Sequence, residues 1–126
     1  MNTHLHPYGT SELRQADLAV RFHLLALASR RIDKVFWWKL KDGGARQFDQ
    51  ADMVVLLRSD LEPKYSYYAF AVMTRMLEGR RWARNGAFGP DVYAAVFKDG
   101  GAGEELIAAW SPKPYAPSAP RRPLER

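Results

Sequence analysis

The residues best suited to hold a ligand stand together in the run Val35-Phe36-Trp37-Trp38-Lys39-Leu40-Lys41-Asp42-Gly43-Gly44. Adjacent tryptophans at the mouth of a short strand, Trp37 and Trp38, offer flat apolar surface to a ligand. Lys39 and Asp42 supply a donor and an acceptor for its polar groups. Each feature also has a plainer reading. Tryptophans bury about 150 to 250 Å² of surface and belong to cores as readily as to binding sites. Lys39 and Asp42 equally suit a solvated turn.

Other chemistry-bearing residues are less well arranged. Asp42, Asp49, Asp52 and Asp60 gather around one polar loop, but a paired-carboxylate mechanism needs a fixed separation across the substrate, which a single loop does not impose. His4 and His6 form a His-x-His pair without convincing further ligands, so no metal site is assigned. His23 falls within a helical pattern near its apolar face and reads as a packed histidine. Gly100-Gly101-Ala102-Gly103 lacks the lysine and following helix of a phosphate loop. With no cysteine in the chain, disulfides, thiolate zinc sites and cysteine nucleophiles are excluded. No catalytic residue and no cofactor follow from these patterns.

The elements that must position the aromatic run can be read from periodicity. Its apolar stretch is about six residues long, rich in β-branched and aromatic types and closed by Asp-Gly-Gly, the signature of a strand. Alternation puts Val35, Trp37 and Lys39 on one face and Phe36, Trp38 and Leu40 on the other. With apolar residues on both faces, the strand is expected to be covered on both sides, as in a parallel sheet. Residues 11–29 precede it as a helix, with Leu13, Ala16, Val20, Leu24 and Leu27 along one face and Leu18, Phe22 and Leu25 widening it. Thr10 or Ser11 can cap its start. Arg30-Arg31 stands where a left-handed glycine would be comfortable at its end. Residues 53–57 form a second short apolar run, read as a strand or a buried extended segment.

Glu62-Pro63 opens another helix that ends at Gly79. Tyr65, Tyr68, Ala69, Val72, Met73, Met76 and Leu77 cover most of its circumference, so it requires a large packing partner. Beyond Gly86 the period falls to two, and residues 91–97 and 105–110 form a hairpin about the glycine-rich turn. Two strands alone are marginal in water and need something to lean on. Pro112, Pro114, Pro117, Pro120 and Pro123 mark an extended or disordered tail.

At 126 residues the chain suffices for one ordinary domain, burying about two-thirds of its unfolded surface. Its 47% hydrophobic and 26% charged content fits a soluble globular class. The net charge of +5 comes from small clusters, Arg30-Arg31, Arg80-Arg81 with Arg84, and Arg121-Arg122. With no single basic stripe, nucleic acid is an unfavoured partner. Residues 1–14 lack the apolar centre of a signal peptide and residues 65–77 are too short to cross a bilayer, so neither export nor a membrane partner is expected.

Four segments in fixed order resemble a known family. These are Gln15-Ala16-Asp17-Leu18-Ala19-Val20-Arg21, then Leu25-Ala26-Leu27-Ala28-Ser29, then Val35-Phe36-Trp37-Trp38 with Asp42-Gly43-Gly44, then Pro63-Lys64 with Tyr68-Ala69-Phe70. Together they are similar to the C-terminal part of (β/α)8-barrel glycoside hydrolases, family 39 and related bacterial glycan hydrolases. The resemblance implies an α/β fold: a partial (β/α)8 barrel made of the last helix-strand-helix units, followed by a β-hairpin and a proline-rich tail. It divides the chain into a barrel remnant over residues 1–80, the start of a β-rich appendage over 81–110, and a disordered Pro/Arg-rich tail over 111–126. Arg30-Arg31, Lys39 and Tyr65-Ser66 depart from the family pattern. Lys39, where an acidic residue is common, changes the sign of charge at the barrel mouth.

The same resemblance implies a carbohydrate partner, an oligo- or polysaccharide, with Trp37, Trp38, Lys39 and Asp42 as substrate-binding residues. Neither glutamate that the family uses as acid/base and nucleophile is matched by a residue of this chain. The chain is therefore expected to lack glycosidase activity by itself. A complete barrel takes about 250 residues, so an upstream barrel fragment or self-association is expected to cover its open surfaces. A non-catalytic carbohydrate-binding module using Trp37 or Trp38 is the alternative, and a basic nucleic-acid-binding protein a third class.

Overall fold

The structure, a computed structural model, describes residues 11–43, 55–101 and 103–113. Two helices and a three-stranded antiparallel sheet make an α/β arrangement. They follow in the order α1 (Glu12–Ser29), α2 (Tyr65–Leu77), β1 (Arg81–Asn85), β2 (Tyr93–Lys98) and β3 (Glu105–Trp110).

Helix α1 begins where its sequence says it should. The Ser11 hydroxyl accepts from the Arg14 amide at 3.2 Å, and Glu12 lies at the positive end of the helix dipole. At the other end Arg30 takes the left-handed conformation, φ 54°, that glycine would adopt more easily. Its guanidinium lies 5.9 Å from the centre of the Trp82 ring, a cation–π contact that offsets part of the backbone cost.

The buried stripe of α1 is shifted from the leucine face expected of it. Gln15, Ala16, Ala19, His23, Leu24 and Ala26 are buried, whereas Leu13, Phe22, Leu25 and Leu27 are exposed. Small side chains let a neighbouring helix approach closely, and the alanine stripe faces inward while bulk is left outside. Helix α2 lacks a side-chain cap. Only Ser66 and Met73 of it are buried, and Tyr65, Tyr68, Val72 and Met76 lie open.

The sheet order is β1-β2-β3. The expected hairpin is present as β2 and β3, in unbroken register from Tyr93 opposite Trp110 to Lys98 opposite Glu105. Sequence periodicity missed β1. Its residues Arg81-Trp82-Ala83-Arg84-Asn85 carry one large apolar side chain, and the register with β2 shifts between Trp82 and Arg84. This third strand supplies support that a lone hairpin would lack. Leu24, Met73, Ala95 and Phe97 form a buried cluster, packed against by Val20, Phe70, Leu77, Trp82, Leu106 and Trp110 among others. Apolar packing thus continues across residue 80, from helices to sheet.

The aromatic run departs most from expectation. Residues 34–37 have no regular secondary structure, the chain bends at Trp38 and Leu40, and the run enters no β-ladder before Lys41. The pairing begins at its end, where Lys41 bridges Leu57 in parallel sense and Leu57 in turn bridges Pro63. The Leu40 carbonyl accepts from the Leu56 and Leu57 amides at 3.1 and 2.9 Å, and the Asp42 amide donates to the Leu57 carbonyl at 3.0 Å. Of the second apolar run, residues 53 and 54 lie outside the described ones, while Val55 and Leu56 are buried at bends that lead into the Leu57 bridge. A strand is a property of neighbours as well as of sequence, since its backbone groups must be paired by another chain segment.

Candidate functional site

Alternation along the aromatic run sorts the site residues onto two sides. Val35, Trp37 and Lys39 are half-buried, whereas Phe36, Trp38 and Leu40 are exposed, Phe36 at 85% and Trp38 at 76%. The faces are those the sequence assigns, but cover on both sides is not found. Helix α1 packs on one side only. The Trp37 ring lies 5.7 Å from that of His23, tilted by 36°. His23 is also ringed edge-on by Phe22 and Phe70, and its Nδ1 lies 2.7 Å from the Ala19 carbonyl, which fixes that nitrogen as the donor. His23 is the packed histidine its position suggests.

The two tryptophans are therefore unequal. Trp37 belongs to the contact with the helix, and Trp38 presents its ring on the open side. The Trp38–Lys39 peptide bond is cis.

Asp42 lies at the end of the run, half-buried, beside a polar cluster that sequence reasoning did not anticipate. Lys64 is only 2% exposed. Burial lowers the pKa of its ammonium group below the ordinary value of 10.5. The charges of Asp42 and Glu12 oppose that shift and Arg58 adds to it. Glu12 accepts both bonds of a fork from Arg58 Nη2, at 3.0 and 2.7 Å. Gln15 is fully buried and its Nε2 donates to the Val55 carbonyl at 3.3 Å, while its Oε1 and the Ser66 hydroxyl are buried without a partner among the described residues. The available signal was Gln15, a polar residue in the middle of an alanine stripe, together with a lysine directly after Pro63.

The remaining candidates separate. The Asp60 carboxylate accepts from the Glu62 amide at 3.0 Å and shapes a turn. Asp49, Asp52, His4 and His6 lie outside the described residues. Among the described residues no group of three histidine, aspartate or glutamate side chains gathers in a way that could hold a metal ion. No described helix is long and apolar enough to cross a membrane. Part of the basic charge is spent internally, with Arg84 and Lys98 both 2.9 Å from Glu105.

Two helices and a three-stranded antiparallel sheet, with the aromatic segment packed near His23 of α1, agree with the α/β class that the family resemblance implies. No protein-family model matches the chain, and no curated protein matches it. Among solved structures it is similar to a family 39 glycoside hydrolase from the gut symbiont Bacteroides cellulosilyticus, with a TM-score of 0.71 and 28% identity. The likeness covers 82% of this chain and 21% of that one. Over most of its length the chain is glycoside hydrolase-like, and it spans about a fifth of the enzyme it resembles.

Proposed function

We propose that the chain is a piece of a family 39-like glycoside hydrolase that supplies the last helix-strand-helix unit of a (β/α)8 barrel and the start of the β-rich region after it. The observation that carries this reading is the inequality of the tryptophans within a glycoside hydrolase-like fold. Residues of a barrel strand alternate between the helix layer and the barrel interior. Trp37 packs on α1, so Trp38 stands on the side that an intact barrel would turn inward. An exposed indole there can stack on the C–H face of a sugar ring, and Lys39 and Asp42 follow it toward the C-terminal end of the strand, where barrel active sites are built.

Hydrolysis requires two carboxyl groups flanking the scissile bond, and this reading assigns both to another part of the assembly. The chain binds sugar without cleaving it, and the upstream part of a barrel is its partner. Tryptophan fluorescence during titration with oligosaccharides tests the platform. A saturable change that Trp38→Ala abolishes supports it, and an unchanged response in that variant refutes it. Turnover of aryl glycosides by the purified chain above a heat-treated control would overturn the claim of inertness.

The exposure of Trp38 and Phe36 also suits a second reading, a carbohydrate-binding module that needs no further barrel. Adding the complementary barrel segment distinguishes the two. Gain of turnover favours the enzyme piece, and sugar binding unaffected by the addition favours the module.

A further inference from the structure

A lysine is seldom buried as completely as Lys64, which is 2% exposed, unless another charge pairs with it. The sugar site described above makes no use of this residue, although Asp42 belongs to that site. What Lys64 does there follows from how the backbone brings the two together.

Leu56 and Leu57 are gripped from both sides. On one side the Leu40 carbonyl accepts from both of their amides, and the Asp42 amide donates to the Leu57 carbonyl at 3.0 Å. On the other side the Lys64 amide donates to the Leu56 carbonyl at 2.9 Å. Lys41 bridges Leu57 and Leu57 bridges Pro63, so these three residues share one side of the pleat. Asp42 and Lys64, each the next residue along, fall together on the opposite side.

The charges agree with this placement. Two carboxylates favour the ammonium form of Lys64 against its burial, Asp42 first and Glu12 after it. Glu12 is committed to Arg58, whose Nη2 donates to both of its oxygens at 3.0 and 2.7 Å. Asp42 is therefore the counter-charge on which Lys64 draws most. Burying an ammonium group is costly, and a well-placed carboxylate offsets that cost.

We propose that Lys64 is a positioning residue of the sugar site: its buried ammonium group anchors the Asp42 carboxylate, which then meets sugar hydroxyls as a fixed acceptor just beyond the open Trp38 ring. The inference rests on the sugar reading given above and deepens it. A carboxylate accepts at both oxygens, so one held by Lys64 leaves the other for a hydroxyl. An anchor out of water is screened less than a surface pair. It also orders the acceptor before any ligand arrives, whereas an unsupported aspartate on a turn would lose that freedom on binding.

Two titrations of the whole chain test this role. Without sugar, the ε-methylene resonance of Lys64 reports its protonation against pH. Asp42→Asn removes a charge that favours the ammonium form, so the Lys64 midpoint is expected to fall in that variant. An unchanged midpoint overturns the proposal whatever the sugars do. With sugar, tryptophan fluorescence gives the affinity for cellohexaose, mannohexaose and xylohexaose. Asp42→Asn is expected to weaken binding about tenfold and Lys64→Met about threefold, and Lys64→Met added to Asp42→Asn should weaken it no further. Equal weakening by Lys64→Met in both backgrounds would mark a merely structural lysine and overturn the proposal. A wild-type response that Lys64→Met leaves unchanged overturns this role alone, whereas no wild-type response to any of the sugars overturns the sugar reading and this role with it.

Discussion

Strand β2 and the aromatic run of residues 35–40 are alike in sequence and unlike in fate. Both are about six residues long, both are rich in apolar side chains, and both read as strands by type and alternation. Strand β2 lies between β1 and β3, and Ala94, Ala95, Val96 and Phe97 are buried on both of its faces. The aromatic run has a helix on one side, a bridge only at its end, and three large apolar side chains in the open. The difference lies in the neighbours. The segments that pair with β2 flank it closely in sequence, β1 before it and β3 after it, whereas on the proposed reading the strands that would complete the aromatic run belong to another part of the barrel.

Substitutions can break this comparison, beginning with the largest expected effect. Phe97 is 1% exposed at the centre of the cluster, so Phe97→Ala should cost about 3 to 5 kcal/mol of unfolding free energy. Phe36→Ala, at an equally aromatic position, should stay within about 0.5 kcal/mol. Denaturant melts of the two variants measure both, and similar losses would mean that the aromatic run is covered after all.

The second contrast lies within the run. Trp37→Ala removes a half-buried ring packed near His23 and should destabilise by about 1 to 2 kcal/mol, whereas Trp38→Ala should leave the melting midpoint nearly unchanged. Sugar-dependent fluorescence is expected to show the reverse order.

Smaller effects concern charge at the two regions. Lys64 sits at the end of the aromatic run, and its folded pKa is lowered, chiefly by burial. Between that lowered value and 10.5 the unfolded chain binds more protons than the folded one, so its contribution rises with pH across this window. The penalty of burying the charge is complete below the folded pKa. Lys64→Met should flatten the alkaline rise seen in stability measured against pH.

At the sheet, the exposed Glu105 carboxylate is held below its ordinary pKa, first by the hydrogen bond from Lys98 and also by Arg84, against a smaller desolvation effect. Its stabilisation is present above the unfolded pKa of about 4.5 and is lost as pH falls through the lower folded value. Glu105→Gln should remove this small acid-side loss.

Much of the fold was legible from local pattern. Ser11 and Glu12 mark the start of α1, Gly79 follows the end of α2, and the turn after Lys98 separates β2 from β3 as alternation requires. Strand β1 was not legible, because two arginines and an asparagine in five residues hide a strand whose reason for existing is the edge of β2. The buried stripe of α1 was misplaced because leucines outweigh alanines in a periodicity argument, while close packing favours the alanines. At the candidate site the division into faces was readable from the alternation of residues 35–40. Which tryptophan is packed, that Lys64 sinks near Asp42, and that Gln15 reaches the Val55 carbonyl were not, since those contacts join residues distant in sequence.

The sequence by itself determined where helices begin, where turns fall, which side chains share a face, and that no cysteine chemistry is possible. Caps, glycines and periodicity act over a few residues, so a linear reading captures them. Tertiary structure alone decided which face is covered: Trp37 against His23, Trp38 open, Lys64 buried, and β1 recruited to the sheet. Burial and pairing depend on segments that only the folded chain brings together, and the same sequence pattern is therefore a buried strand in β2 and an open aromatic edge at residues 35–40.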